Sequence, residues 1–195
     1  MNKIATLTAA VGIALSGAAF ADTSFDPALD EKLDFGNFVL DSLPNGGAPA
    51  VFTVPNGDNG NDIVGFSFSG SVTGVSGNSS WASDMQLIIT DPNGGTFTVG
   101  GFTNSGNADI DWDFDGSSST NDGAYASGPH FAWKNDPISK DGAGSWTFSF
   151  ANDWNSTIAA TMTWTDVSIT LHKIPTPGAA ALFGLAGLAG IRRRR

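Results

Sequence analysis

Cysteine is absent from the chain, which excludes a disulfide scaffold, a thiol nucleophile and every cysteine-based zinc or iron–sulfur site. Histidine is nearly as scarce. His130 and His172 are the only two, too few for a multi-histidine metal centre. Positive charge is short as well. All four arginines stand together as Arg192 to Arg195, and within residues 22–174 only Lys32, Lys134, Lys140 and Lys173 face all 19 acidic residues, a balance of −15. Nucleic acid is excluded as a main partner, because phosphate backbones are held by clustered Lys and Arg. An acidic surface suits solubility outside the cell and divalent cations. The chain also lacks an apolar run of the ~20 residues that a bilayer-spanning helix needs.

What is present begins with two specialised ends. Residues 1–21 read MNKIATLTAAVGIALSGAAFA. Lys3 gives a positive start, Ile4 to Leu15 a short apolar stretch, and Ala19-Phe20-Ala21 a small-x-small cleavage site. That is the pattern read by the general secretion machinery and signal peptidase, with Ala19 and Ala21 at the recognition positions and an N-terminal signal helix expected. Residues 22–174 are then the folded body, long enough for one domain with a sizeable core.

The other end, residues 175–195, carries three features in order. Pro175-Thr176-Pro177 is followed by the apolar GAAALFGLAGLAGI of Gly178 to Ile191, and then by Arg192, Arg193, Arg194 and Arg195. Thr176 suits a helix N-cap and Pro177 the first helical position. Fourteen helical residues rise ~21 Å against a hydrocarbon core of ~30 Å, short for a permanent span. The arginines fix the orientation, with the body outside and the C-terminus in the cytoplasm.

This end resembles the PEP-CTERM sorting signal, a Pro-Glu-Pro-like motif, a Gly/Ala/Leu-rich apolar helix and a terminal arginine cluster, with Thr176 at the place of the glutamate. The resemblance implies an exported protein held transiently in the inner membrane. An exosortase-type membrane peptidase would then cut near Pro175-Thr176-Pro177 and release the body to the cell surface or an exopolysaccharide matrix.

The body shows no long helical periodicity. Its recurring unit is a short alternating segment bounded by turn residues, the signature of antiparallel strands. Phe66 and Phe68 alternate with Ser67 and Ser69, Met85, Leu87 and Ile89 with Gln86 and Ile88, and Trp146, Phe148 and Phe150 with small polar residues. Asp91-Pro92-Asn93-Gly94-Gly95 predicts a turn, with Thr96 to Val99 as the returning arm. Met162 and Trp164 share one parity, while Val167, Ile169 and Leu171 share the other. One regular strand cannot bury both sets, so a bulge or break is expected near Thr165–Asp166. One short helical turn is expected within Asp26 to Phe38, and a loop at Asn56 to Asn61. The predicted fold is all-β, a single antiparallel β-sandwich of jelly-roll type with about eight to ten strands.

Two stretches of the body also resemble the P/Homo B domains appended to subtilisin-type convertases. One is SDMQLIITDPNGGTFTV (Ser83 to Val99), and the other is GAGSWTFSFANDWNSTIAATMTWTDVSITL (Gly142 to Leu171), which puts Trp146 and Trp164 on the family's two tryptophan positions. The resemblance implies a β-sandwich. It does not imply proteolysis by this chain, since no protease domain accompanies the motif.

Chemistry-bearing patterns are few. Asp111, Asp113 and Asp115 before Gly116, with Asp122 further on, approach the spacing of a calcium loop. The same residues also read as an edge strand that buries Ile110, Trp112 and Phe114 and turns its aspartates to water, and this second reading is preferred. A Ser-His-Asp set could use only His130, read as a strand start, or His172, placed beside the tail where processing would expose it. No catalytic residues are assigned and no enzyme activity is expected. Trp81, Trp112, Trp133 and Trp154 are candidates for stacking on sugars, Trp154 first because its Asn-Asp-Trp-Asn setting reads as an exposed turn. The expected function is that of a non-catalytic surface or matrix protein. A carbohydrate-binding module for an exopolysaccharide is the alternative, then a P/Homo B-like domain that accompanies a protease. Mass spectrometry of secreted material should find Asp22 as the N-terminus; a mature chain that begins at Met1 would reject the export signal.

Overall fold

The computed structural model describes residues 29–42, 47–55, 61–75, 80–102, 108–114, 119–133, 138, 144–154 and 160–175. The expected signal helix in residues 1–21 and the apolar helix of the tail lie outside the described residues. Among those described there are eight strands: β1 (Glu31–Ser42), β2 (Ala50–Pro55), β3 (Asn61–Thr73), β4 (Met85–Thr90), β5 (Thr96–Gly100), β6 (Gly123–His130), β7 (Ser145–Asn152) and β8 (Ala160–Pro175). They form two four-stranded antiparallel sheets, ordered β1-β8-β3-β6 and β2-β7-β4-β5. The pairings are nested: β1 with β8, β2 with β7, β3 with β6 and β4 with β5.

The inner faces of the sheets share one core in a sandwich-like arrangement. Phe66, Phe68, Leu87, Ile89, Trp146, Phe148, Phe150 and Trp164 are all buried, as their alternation requires. Rings cross between the sheets: Phe35 of β1 lies 4.9 Å from Phe52 of β2 and 5.1 Å from Phe148 of β7. Tilted aromatic contacts at these distances add to the burial of apolar area.

Strand β8 buries both parity sets. Met162, Trp164, Val167, Ile169 and Leu171 are each no more than 1 % exposed. An extra residue makes this possible. Ser69 and Ser71 of β3 face Ser168 and Thr165, and on the other edge Gly36 and Phe38 of β1 face Val167 and Trp164. Asp166 takes up the slack at φ 53°, with its N–H donated to Asn37 Oδ1 at 3.0 Å. The expected bulge is therefore a bulge within one long strand.

The turn after β4 also follows its residues. Asp91 Oδ1 accepts from Asn93 N at 2.6 Å and Gly95 N at 3.2 Å, and Gly94 supplies the positive φ of 88°.

Three local expectations are corrected. The stretch expected to hold a helical turn is β1 from Glu31 onward, residues 26–28 lying outside the described ones. Pairing along the whole first part of β8 outweighs local preference there. Ile110 to Phe114 is not an edge strand. Ile110 makes one parallel bridge to Val99 and the chain then turns, yet Trp112 and Phe114 are buried while Asp111 and Asp113 are exposed. The period of two survives because Trp112 is pinned inward, its indole N–H donating to Met85 O at 2.6 Å. His130 closes β6 instead of opening a strand, because the chain turns at residues 132 and 133.

Charge divides between the sheets. No Asp, Glu, Lys or Arg occurs in β2, β4, β5 or β7, whereas β1 alone carries Glu31, Lys32, Asp34 and Asp41. The outer face of the second sheet consists of uncharged rows. One is Thr53, Thr147, Thr90 and Thr96 in register across all four strands. Replacing the fully buried Phe148 by Ala should lower the unfolding free energy by about 3–5 kcal/mol, whereas Thr147→Ala on the outer face should change it little; urea denaturation of both variants checks the contrast.

Candidate functional site

The first sheet brings the two histidines into two separate polar clusters. His172 lies on β8 between β1 and β3, and a neighbour from each side reaches it. Its Nδ1 is 2.9 Å from Asp30 Oδ2, and its Nε2 is 3.2 Å from Ser67 Oγ. Asp30 stands just before β1, where Glu31 pairs with Leu171, so its carboxylate falls beside the next residue of β8. Ser67 alternates with the buried Phe66 and Phe68 and so faces the outside of the sheet.

The His172 side chain is only 5 % exposed, because the end of β6 crosses over it. A Cβ at Gly65, which is in register with His172, would collide with the His130 carbonyl, so only glycine allows that crossing. The Phe131 ring lies 6.1 Å from the His172 ring and remains partly exposed. His172 is expected to become exposed once the tail is removed; in the intact chain the fold buries it. Asp30 Oδ1 also accepts from Lys173 N at 3.3 Å, and the buried Lys173 ammonium pairs with Glu31.

His130 sits in a different arrangement. Its Nε2 is 2.8 Å from Ser127 Oγ and 3.7 Å from Asp113 Oδ2, so hydroxyl and acid share one ring nitrogen. Asp113 Oδ2 accepts from Gly128 N at 2.6 Å and from the Ser127 hydroxyl at 3.2 Å, holding the chain before the cis Gly128–Pro129 bond.

The aspartates of the calcium-loop spacing are placed as follows. Asp111 is exposed, Asp113 serves the Ser127–Gly128 backbone, and Asp122 Oδ1 accepts from Val75 N at 2.9 Å. Asp115 lies outside the described residues. Among the described residues no three metal-ligating side chains converge.

Of the aromatic candidates, Trp112 is buried, Trp133 packs against the core, and Trp81 is 37 % exposed. Trp154, expected to be the most exposed of the four, is half-buried. Its ring stands edge-on to Phe102, with centroids 4.5 Å apart, and its indole N–H is buried with no acceptor among the described residues.

Of the sorting residues, Ala19, Ala21, Thr176, Pro177 and Arg192 to Arg195 lie outside the described residues. Pro175 is the last residue of β8, in register with Asn61 at the start of β3. Among the described residues no helix is long and apolar enough to cross a membrane.

No known family model matches the chain, and no curated protein is similar to it. The site residues are therefore read from their geometry. Sequence reasoning named His172 but missed Asp30 and Ser67. The outward parity of Ser67 was legible, but the placement of β8 between β1 and β3 was not.

Proposed function

We propose that the chain is an exported, non-catalytic surface or matrix protein whose C-terminal signal is handled by an exosortase-type membrane peptidase after signal peptidase has removed residues 1–21. The body is read as a β-sandwich of jelly-roll type. Its nested pairing is the one that two Greek keys rolled into facing sheets would produce. The fold is also compatible with the P/Homo B resemblance.

The observation that carries the reading is where the chain leaves the sheet. Strand β8 is paired on both sides, and its last residue, Pro175, is also the first residue of the Pro-Thr-Pro motif. Peptidases take extended, unpaired substrate, and the strand keeps residues up to Pro175 in the ladder. Cleavage is therefore expected on the C-terminal side of Pro175. The start of β1 and the end of β8 meet at one end of the body, so a tail anchor would hold the domain by that end.

Trp154, with Asn152 and Ala160 nearby, lies at the opposite end, where Ser80 links Asn152 to Met162. This placement favours the carbohydrate-binding reading as a second possibility. A half-buried indole stands at that end, in a sheet whose strands carry no charged residue. Neutral polysaccharide is the partner that such a surface in an otherwise acidic body would accept.

Following an epitope placed after Ser24 should show the tail lost only in cells that contain the exosortase. Replacing Arg192 to Arg195 by Ser should impair retention and processing. A mature protein that keeps Arg195 in both strains and stays in the inner membrane would replace the sorting reading with a plain tail anchor. The carbohydrate reading expects Trp154→Ala to lose retention on an exopolysaccharide column while circular dichroism shows the variant still folded; equal retention would remove it.

A further inference from the structure

We propose that Ser67 is a base-activated hydroxyl that accepts an acyl group from small carboxylic esters, with His172 as its general base and Asp30 as the positioning residue. This chemistry replaces the non-catalytic part of the proposed function; it leaves the sorting reading untouched and does not depend on it.

The order of contacts around the imidazole carries the inference. Asp30 Oδ2 at 2.9 Å from Nδ1 holds the proton there, which leaves the Nε2 lone pair aimed at Ser67 Oγ, 3.2 Å away. Nucleophile and orienting acid thus lie at the two opposite ring nitrogens of the base, within the reach that nucleophilic catalysis requires. His130 fails this test, because Ser127 and Asp113 both approach its Nε2.

The surroundings reinforce the arrangement. His172 and Asp30 side chains are 5 % and 13 % exposed, so bulk water competes little for their contacts. The second oxygen of Asp30 is held by Lys173 N. Ser67 is less buried than His172, and the partly exposed Phe131 ring beside the histidine offers an apolar contact for a short acyl group.

The step balances without a cofactor. Ser67 Oγ bonds to the ester carbonyl carbon while its proton passes to His172 Nε2. The bond from carbon to the alcohol oxygen then breaks, and the leaving alcohol takes that proton. Acyl-Ser67 remains until water hydrolyses it and restores the hydroxyl. The groups named supply a nucleophile and a base but no oxyanion donors, which usually contribute the largest share of the acceleration. The expected chemistry is therefore slow acyl capture, not fast turnover.

The test uses the purified full chain with p-nitrophenyl acetate and with a fluorophosphonate probe, followed by peptide mapping. Both reagents should modify Ser67, and Ser67→Ala should abolish the modification. His172→Gln and Asp30→Asn should slow it ~100-fold, while Asp30→Glu should recover part of the rate. Ser69→Ala, on the same face of the same strand, should leave it unchanged. Circular dichroism and unfolding midpoints separate loss of reactivity from loss of fold. Ser67 left unmodified in the folded wild type, or modified equally fast in a folded Asp30→Asn variant, overturns the proposal. A chain that labels at Ser67 yet stays inside the cell counts against the export reading alone.

Discussion

Strand β8 occupies an interior position in the first sheet, with β1 on one edge and β3 on the other, and it can fill that place only by changing parity midway. A strand of constant period would turn either Met162 and Trp164 or Val167, Ile169 and Leu171 to water. Exposing such side chains costs about 1.5–3 kcal/mol each. A single residue in the left-handed region costs about 1–3 kcal/mol, and Asp166, with its N–H held by Asn37, is the residue that takes that conformation. The comparison favours the bulge by a wide margin. Because both neighbours of β8 follow the same shift, the bulge sets the register of β1, β8 and β3 together.

The polar cluster around His172 is a consequence of that register. Glu31 pairs with Leu171, and Gly65 and Phe66 pair with His172 and Leu171. Asp30 and Ser67 therefore approach the imidazole from opposite sides without belonging to neighbouring stretches of sequence. The crossing of His130 and Phe131 over Gly65 then excludes water from the ring. A ring that an open strand would leave exposed is here buried and held from both sides.

Much of this was legible in the sequence where one strand's own pattern decides the outcome. The buried aromatics of β7, the turn from Asp91 to Gly95 and the parity conflict in β8 all follow from local alternation. Even in the stretch after Ile110, Trp112 and Phe114 kept their predicted inside places and Asp111 and Asp113 their outside ones, although its backbone joins no ladder. The failures share one cause. Glu31 to Phe38 became a strand because β8 offered an edge, and His172 was buried because β6 passes over it; both depend on pairings across more than a hundred residues. Trp154 was misjudged for a related reason, since its partner Phe102 belongs to another loop. Turn residues announce a loop but not what packs on it.

Sheet edges pose a problem for any protein built of two open sheets, because unpaired strands invite pairing between copies. Each edge here has its own obstacle. Along β1, the exposed Lys32–Asp34 pair and the bulge at Gly36 break a flat template. Beyond β5, Gly100 N donates to Ile110 O and Asp109 N donates to Thr98 O, so the segment at Asp109 and Ile110 covers the edge. Beside β6, the carboxylate of Asp113 takes up the Gly128 N–H. Edge strand β2 is short, ends in Pro55 and presents Val51 at 55 % exposure. It is the least guarded edge, and it borders the charge-free face. The net charge of −10 then supplies the remaining repulsion between copies. An uncharged sheet face can thus stay open without joining the protein to itself.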